Sequence, residues 1–179
     1  DRAVLAAGLP LQLFEGHSIM APGTVFTQAG TMFKVFTSFR KQWLEKVAQY
    51  FSSPQAPPKP IGPAVEAIKI ELDYPKRDSG LWPAGEQEAQ QRLSAFVQHK
   101  VADYKTYRDM PALDQTSGLS GYLAVGAISA KQCLHQVLQH YPDALNEPES
   151  GAFCWISELA WRDFYRHLLI AYPKLSMGY

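Results

Sequence analysis

The chain has 179 residues, 46% of them apolar and 12% aromatic, enough for one ordinary domain with a real core or for pieces of two. Its 17 basic and 17 acidic residues cancel, so net charge argues neither for nor against nucleic acid, although a neutral total can hide a basic face. Cys133 and Cys154 come without a CxxC or a His at zinc spacing, which argues against a structural metal, and no apolar run approaches the roughly 20 residues that span a bilayer.

In chain order, residues 1–8 predict the last turns of a helix ended by Gly8 and Pro10, and LQLF, 11–14, a short strand. EGHSIMAPGTVFTQAGTMF is loop-like, marked by Pro22, Gly23 and Gly30. From Val35 to Phe51 the apolar positions Val35, Phe36, Phe39, Trp43, Leu44 and Val47 recur at helical spacing and predict a helix. Five prolines between 54 and 63, then Pro75 and Pro83, forbid one helix or an inner strand over the next stretch. It reads as an extended crossing between two lobes that lies on a surface, because Ile68, Ile70, Leu72 and Trp82 favour burial.

Beyond it the pattern is helical. One helix is expected over 86–102, with Leu93, Phe96, Val97 and Val101 inward; Ser129 can cap a second from Ala130 to His140, and Ser150 a third from about Gly151 to Ala171. The two cysteines fall in these helical runs and read as buried free thiols of a reduced compartment. The chain opens at DRAVLAAG inside one helix and stops at PKLSMGY after another, so it reads as a piece of something longer.

Two stretches carry chemistry. TSGLSGYLAVGAIS, 116–129, crowds three glycines, one Thr and three serines around Tyr122, Leu119 and Leu123, more hydroxyl and more apolar surface than a plain connector needs. In CWISELAWRDFYRHLL, 154–169, a turn of about 100° per residue puts Trp155, Glu158, Arg162, Tyr165, Arg166 and Leu169 on one side, with Trp161 at its border. Ile156, Leu159 and Phe164 point elsewhere and serve as core. Taken alone, Glu158–Arg162 is an ordinary i,i+4 pair beside packing tryptophans, worth a few tenths of a kcal/mol. In company, aromatic faces with Arg suit a planar, phosphate-bearing ligand. DYKTYRDMP, 103–111, adds Tyr104, Lys105 and Arg108; the bland reading of the two cations is a solvated helix end.

YKTYRDMP, the Thr-Ser-x-Leu-Ser turn, the Gly and Ser that open the next helix, and WISELAWRDFYRH together resemble the flavin-binding lobe of the DNA photolyase/cryptochrome family, particularly its bacterial cyclobutane-dimer photolyases. Upstream, APGTVFTQAGTMFKVFTSFRKQWLEK is similar to the stretch that leaves the family's α/β domain. The resemblance implies a mainly α fold: residues 1–34 end an α/β antenna-binding domain, 35–83 are a helix and a proline-rich connection, and 84–179 begin the helical FAD-binding domain.

It further implies that Thr116, Ser117, Gly118, Leu119 and Ser120 wrap FAD, with Tyr104, Trp155 and Arg162 touching it. Glycine lets main chain approach an oxyanion, and a following helix points amides at it. By the same transfer Glu158 and Trp161 are the catalytic pair: Trp161 gives a flat wall to a pyrimidine dimer flipped out of DNA, and Glu158 bonds its edge while excited, reduced FAD supplies an electron. Arg108 would hold a DNA phosphate, with Arg162, Tyr165 and Arg166 also at the DNA. Gly118 departs from the family, whose bacterial members often carry Arg there.

The implied parent is a monomeric enzyme of the bacterial cytoplasm that acts on DNA containing pyrimidine dimers, uses FAD plus a folate or deazaflavin antenna, and needs neither metal nor membrane. The family's later Asn- and Trp-rich segments are not in this chain, so the piece by itself is expected to hold FAD poorly and repair nothing. A cryptochrome-type photoreceptor and a helical module with only architectural likeness are the alternatives; Glu158 with Trp161 favours repair over the first, and the hydroxyl-rich loop disfavours the second.

Overall fold

A computed structural model describes residues 2–11, 16–56, 62, 73 and 79–177. Among these residues the fold is helical: α1 (Arg2–Ala6), α2 (Phe36–Tyr50), α3 (Glu86–His99), α4 (Tyr104–Tyr107), α5 (Ser120–Val125), α6 (Ala130–His140) and α7 (Gly151–Ala171), with short 3₁₀ turns at Val101–Asp103, Ala144–Asn146 and Pro173–Met177. An isolated antiparallel bridge, Phe26 to Met32, is the β pairing among the described residues. Most of the expected strand at 11–14 lies outside them, as do Ile68, Ile70 and Leu72.

The helices form where the apolar period and the caps agree. α2 buries Phe39, Trp43 and Val47, an i,i+4,i+8 stripe, and each such side chain contributes about 1.5–3 kcal/mol by leaving water. α6 opens on a capping box: the Ser129 hydroxyl accepts from the Gln132 amide, and the Gln132 side chain accepts from the Ser129 amide. At α7 the Ser150 hydroxyl accepts from the Phe153 amide at 3.0 Å. α3 stops at His99, short of the expected 102, because Lys100 leaves helical geometry and a 3₁₀ turn follows. The hydroxyl- and glycine-rich stretch 116–129 contains α5, which buries Tyr122 and ends on Gly126 at φ +76°.

α7 is the organising element. It packs against α2, α4 and α6, and α3 packs against α6. The segment before α2 is fastened to it by two buried polar side chains. Asp163, fully buried, accepts from the amides of Ile19 (3.1 Å) and Met20 (2.9 Å) and from the Trp43 indole (2.9 Å). One turn on, His167 accepts from the Val25 amide at 3.3 Å, and its other ring nitrogen meets the Asp163 carbonyl at 2.8 Å.

Trp82 corrects an expectation. It is 51% exposed rather than buried. Its segment is held by backbone carbonyls instead: Leu81 accepts from Arg92 at 2.9 Å and Pro83 from the Tyr122 hydroxyl at 2.8 Å.

Candidate functional site

The N-terminus of α7 lies directly on the turn that leads into α4. Gly151 has no side chain, and a Cβ there would run into the backbone of Val101 and Ala102. That contact sets α4 across α7, with Tyr104 buried and Arg108 reaching Glu158. Arg108 donates to Glu158 at 2.5 Å and lies 3.4 Å from the Cys154 sulfur. Neither end of the ion pair is fully wet, with side-chain exposures of 32% and 35%. The contacts to Cys154 and Glu158 raise the Arg108 pKa further, so its charge is permanent. Burial, then the Glu158 charge, raises that of Tyr104.

Arg108, Cys154 and Glu158 line a cleft of about 370 Å³ together with Arg40, Lys105, Glu149, Ser157 and Trp161. Trp161 lies parallel to Phe36, with centroids 3.6 Å apart and planes 9° apart, and Tyr165 flanks it at 5.5 Å. The i,i+4 pairing open to Glu158 and Arg162 is not made. Glu158 takes Arg108, fifty positions away, while Arg162 donates to the Leu123 carbonyl at 2.9 Å. Lys105 pairs with Glu149 and is 44% exposed, so it is neither buried nor a free cation.

A second cleft, of about 260 Å³, gathers Thr116, Ser117 and Gly118 with Arg92, Lys100, Glu88, Asp114 and Phe96. Gly118 has φ +61°, and a Cβ there would meet the Arg92 guanidinium at 3.5 Å. Hydroxyls, a glycine backbone and two cations suit phosphate oxygens. Both cations are partly neutralised in the protein, Arg92 by Glu88 and Lys100 by Asp114. Leu119 is buried and Ser120 exposed.

Trp155 does not open onto either cleft. It is 4% exposed and packs on Phe96 at 5.1 Å, and Tyr104 meets the same ring edge-on at 5.7 Å. The hydroxyl-bearing turn and the tryptophan side of α7 therefore meet at Phe96. Arg162 lines a third hollow of about 280 Å³ with His17, Gly126, Ser129 and Ala130. Its Nε is buried without a partner among the described residues, and burial with the nearby Arg166 charge lowers its pKa. Tyr165 is exposed and Arg166 partly so.

Four residues in or against these clefts were not singled out as functional from the sequence: three line them, and Phe36 backs Trp161. Phe36 belongs to the apolar stripe of α2, which signals core, and Arg40, Arg92 and Lys100 carry no local pattern that separates them from solvated cations.

Residues 1–61 match the family model described as DNA photolyase. The deoxyribodipyrimidine photo-lyase of Vibrio cholerae is 35% identical over 175 residues, 94% of this chain and 37% of that protein. The enzyme of the same name from Escherichia coli is 37% identical over 166 residues, 90% of this chain and 35% of that protein. Along nearly its whole length this chain is similar to DNA photolyases. A photolyase structure agrees: the crystal structure of a bacterial class III photolyase from Agrobacterium tumefaciens superimposes with a TM-score of 0.71 at 26% identity, over 97% of this chain and 37% of that one. The chain thus spans somewhat over a third of the length of these photolyases. Among the described residues no cluster of His, Cys, Asp or Glu could hold a metal, and no helix is long and apolar enough to cross a membrane.

Proposed function

We propose that the full-length protein is a light-driven deoxyribodipyrimidine photo-lyase that splits cyclobutane pyrimidine dimers in DNA. The observation that carries this reading is the cleft in which a flat indole, Trp161, adjoins a carboxylate, Glu158, tethered by Arg108. A planar ring with polar edges is met by such a pair, a flat apolar face for the ring and a hydrogen-bonding group for its edge. Chemistry on a base starts by taking it out of the stack, a strategy of which photolyases are a standard instance. Trp161 would receive the extruded ring, Glu158 would bond its edge, and Arg108 would fix the carboxylate in place while reaching the backbone phosphate.

FAD fits the second cleft at its phosphate end: Thr116, Ser117 and the Gly118 backbone, with Arg92 and Lys100 behind them, offer hydroxyl and cationic donors. Leu119 and Ser120 continue that turn, while Tyr104, Trp155 and Arg162 would approach from the α7 side. When bound, FAD supplies the light-excited electron. In this reading residues 1–34 end an antenna-binding domain, 35–83 connect the lobes, and 84–179 begin the flavin lobe. The free thiols of Cys133 and Cys154 accord with a reducing cytoplasm.

The test is direct. Full-length protein with its flavin reduced should remove dimers from irradiated DNA in light and not in darkness; equal counts in both would leave the photoreceptor reading instead. Glu158→Ala should keep FAD and lower the repair yield about fivefold, the value of one hydrogen bond of roughly 1 kcal/mol. An unchanged yield would remove Glu158 from the reaction. Arg108→Ala should weaken DNA binding and reduce the slope of log affinity against log salt by about 0.9, one phosphate contact. A slope equal to that of the unsubstituted protein would assign Arg108 to Glu158 alone.

A further inference from the structure

Trp161 does not stand free in its cleft. Phe36, the first residue of α2, lies flat against it at 3.6 Å and 9°. Phe36 is in turn held on other sides. Phe164 meets it edge-on at 5.8 Å, and the Arg40 guanidinium, one turn along α2, lies 5.6 Å above its ring. Arg40 is fixed as well, 5.3 Å over the Phe153 ring and donating to the Ser157 hydroxyl at 3.3 Å, next to Glu158 in the chain. Tyr165, the other ring alongside the indole, is 58% exposed.

We propose that Phe36 is a positioning residue for the flipped base. It covers one face of Trp161 and locks the indole plane, so that an incoming pyrimidine meets a single rigid surface rather than a ring that must first be ordered. A surface already held in place spares the ligand that ordering cost. The inference rests on the photolyase reading above. It adds that the helix preceding the proline-rich stretch is a wall of the lesion pocket, and that its aromatic first residue sets discrimination between damaged and undamaged DNA.

The experiment compares binding of a duplex carrying one cyclobutane thymine dimer with binding of the same duplex undamaged, using full-length protein. Phe36→Leu keeps apolar volume and removes the flat ring. It should weaken binding of the dimer duplex about fivefold, the worth of one aromatic stack, and change the undamaged duplex by less than about twofold. Phe36→Tyr, which keeps the stack, should restore discrimination. In a Trp161→Ala background Phe36→Leu should have no further effect on the ratio. Unaltered discrimination in Phe36→Leu, or equal loss on both duplexes, overturns the positioning role while leaving the photolyase reading intact. If the unsubstituted protein treats both duplexes alike, the proposed function fails and this inference with it.

Discussion

Gly151→Ala is expected to cost on the order of 3 kcal/mol, because the added methyl collides with backbone that has no rotamer to yield. The colliding atoms are the carbonyls of Val101 and Ala102, together with the carbonyl carbon of Ala102 at 2.7 Å. Relief requires the turn ahead of α4 to lift off α7. Tyr104 and Arg108 would travel with it, so the loss should appear twice: as a fall in the thermal midpoint of about 10 °C, and as weakened pairing of Arg108 with Glu158, read as reduced repair. Gly121→Ala is the internal control. That glycine is helical, and a Cβ there finds only the Trp82 ring at 3.9 Å, so the change should be neutral or stabilise by about 0.5 kcal/mol through helix propensity. If Gly151→Ala melts with the control, the α4–α7 contact is not close enough to fix the cleft.

Asp163→Asn is expected to destabilise by roughly 3 kcal/mol, since an amide turns a donor toward groups that can only donate. The amides of Ile19 and Met20 and the Trp43 indole all converge on this carboxylate. Losing it frees the segment around residues 19–25 from α7 and α2 together. The pH dependence gives a second signature. Burial pushes the Asp163 carboxyl up to about 6 from 3.8, against the pull of its donors. A raised carboxyl means that the folded state favours the proton. This group's contribution is therefore full below about pH 3.8 and is lost as pH rises through about 6. His167 runs the other way: burial lowers its pKa, so its contribution is lost as pH falls below the ordinary value of 6.5. Neutral imidazole accepts from the Val25 amide, and the imidazolium cannot. Asp163→Asn removes the first component only. Its stability should fall more steeply on acidification between about pH 6 and 4 than that of the unsubstituted protein; parallel curves would show that the Asp163 carboxyl does not take up its proton in that range.

The helices that carry the chemistry were readable in the letters. The Phe39, Trp43, Val47 stripe, the Ser129–Gln132 box and the Ser150 cap each act within one helical turn or along one helix face, so local sequence suffices to place α2, α6 and α7. The family resemblance was also a property of local strings, TSGLS and WISELAWRDFYRH, and so could be read without coordinates. Partner choice was not. Helical spacing offered Glu158 the guanidinium of Arg162, yet the crossing of α4 over α7, permitted by Gly151, delivered Arg108 instead. Trp155 fell on the side of α7 that the wheel assigned to a ligand, but Phe96 from α3 covers it. Phe36 carried the signature of core, and only the packing of α2 on α7 laid it flat against Trp161. Asp163 and His167 sit in mid-helix with acceptor atoms whose donors come from 120 to 144 positions earlier. Local sequence determines what a segment becomes because its hydrogen bonds close within a turn; which side chains then share a cleft depends on contacts between distant segments, and those exist only once the helices have packed.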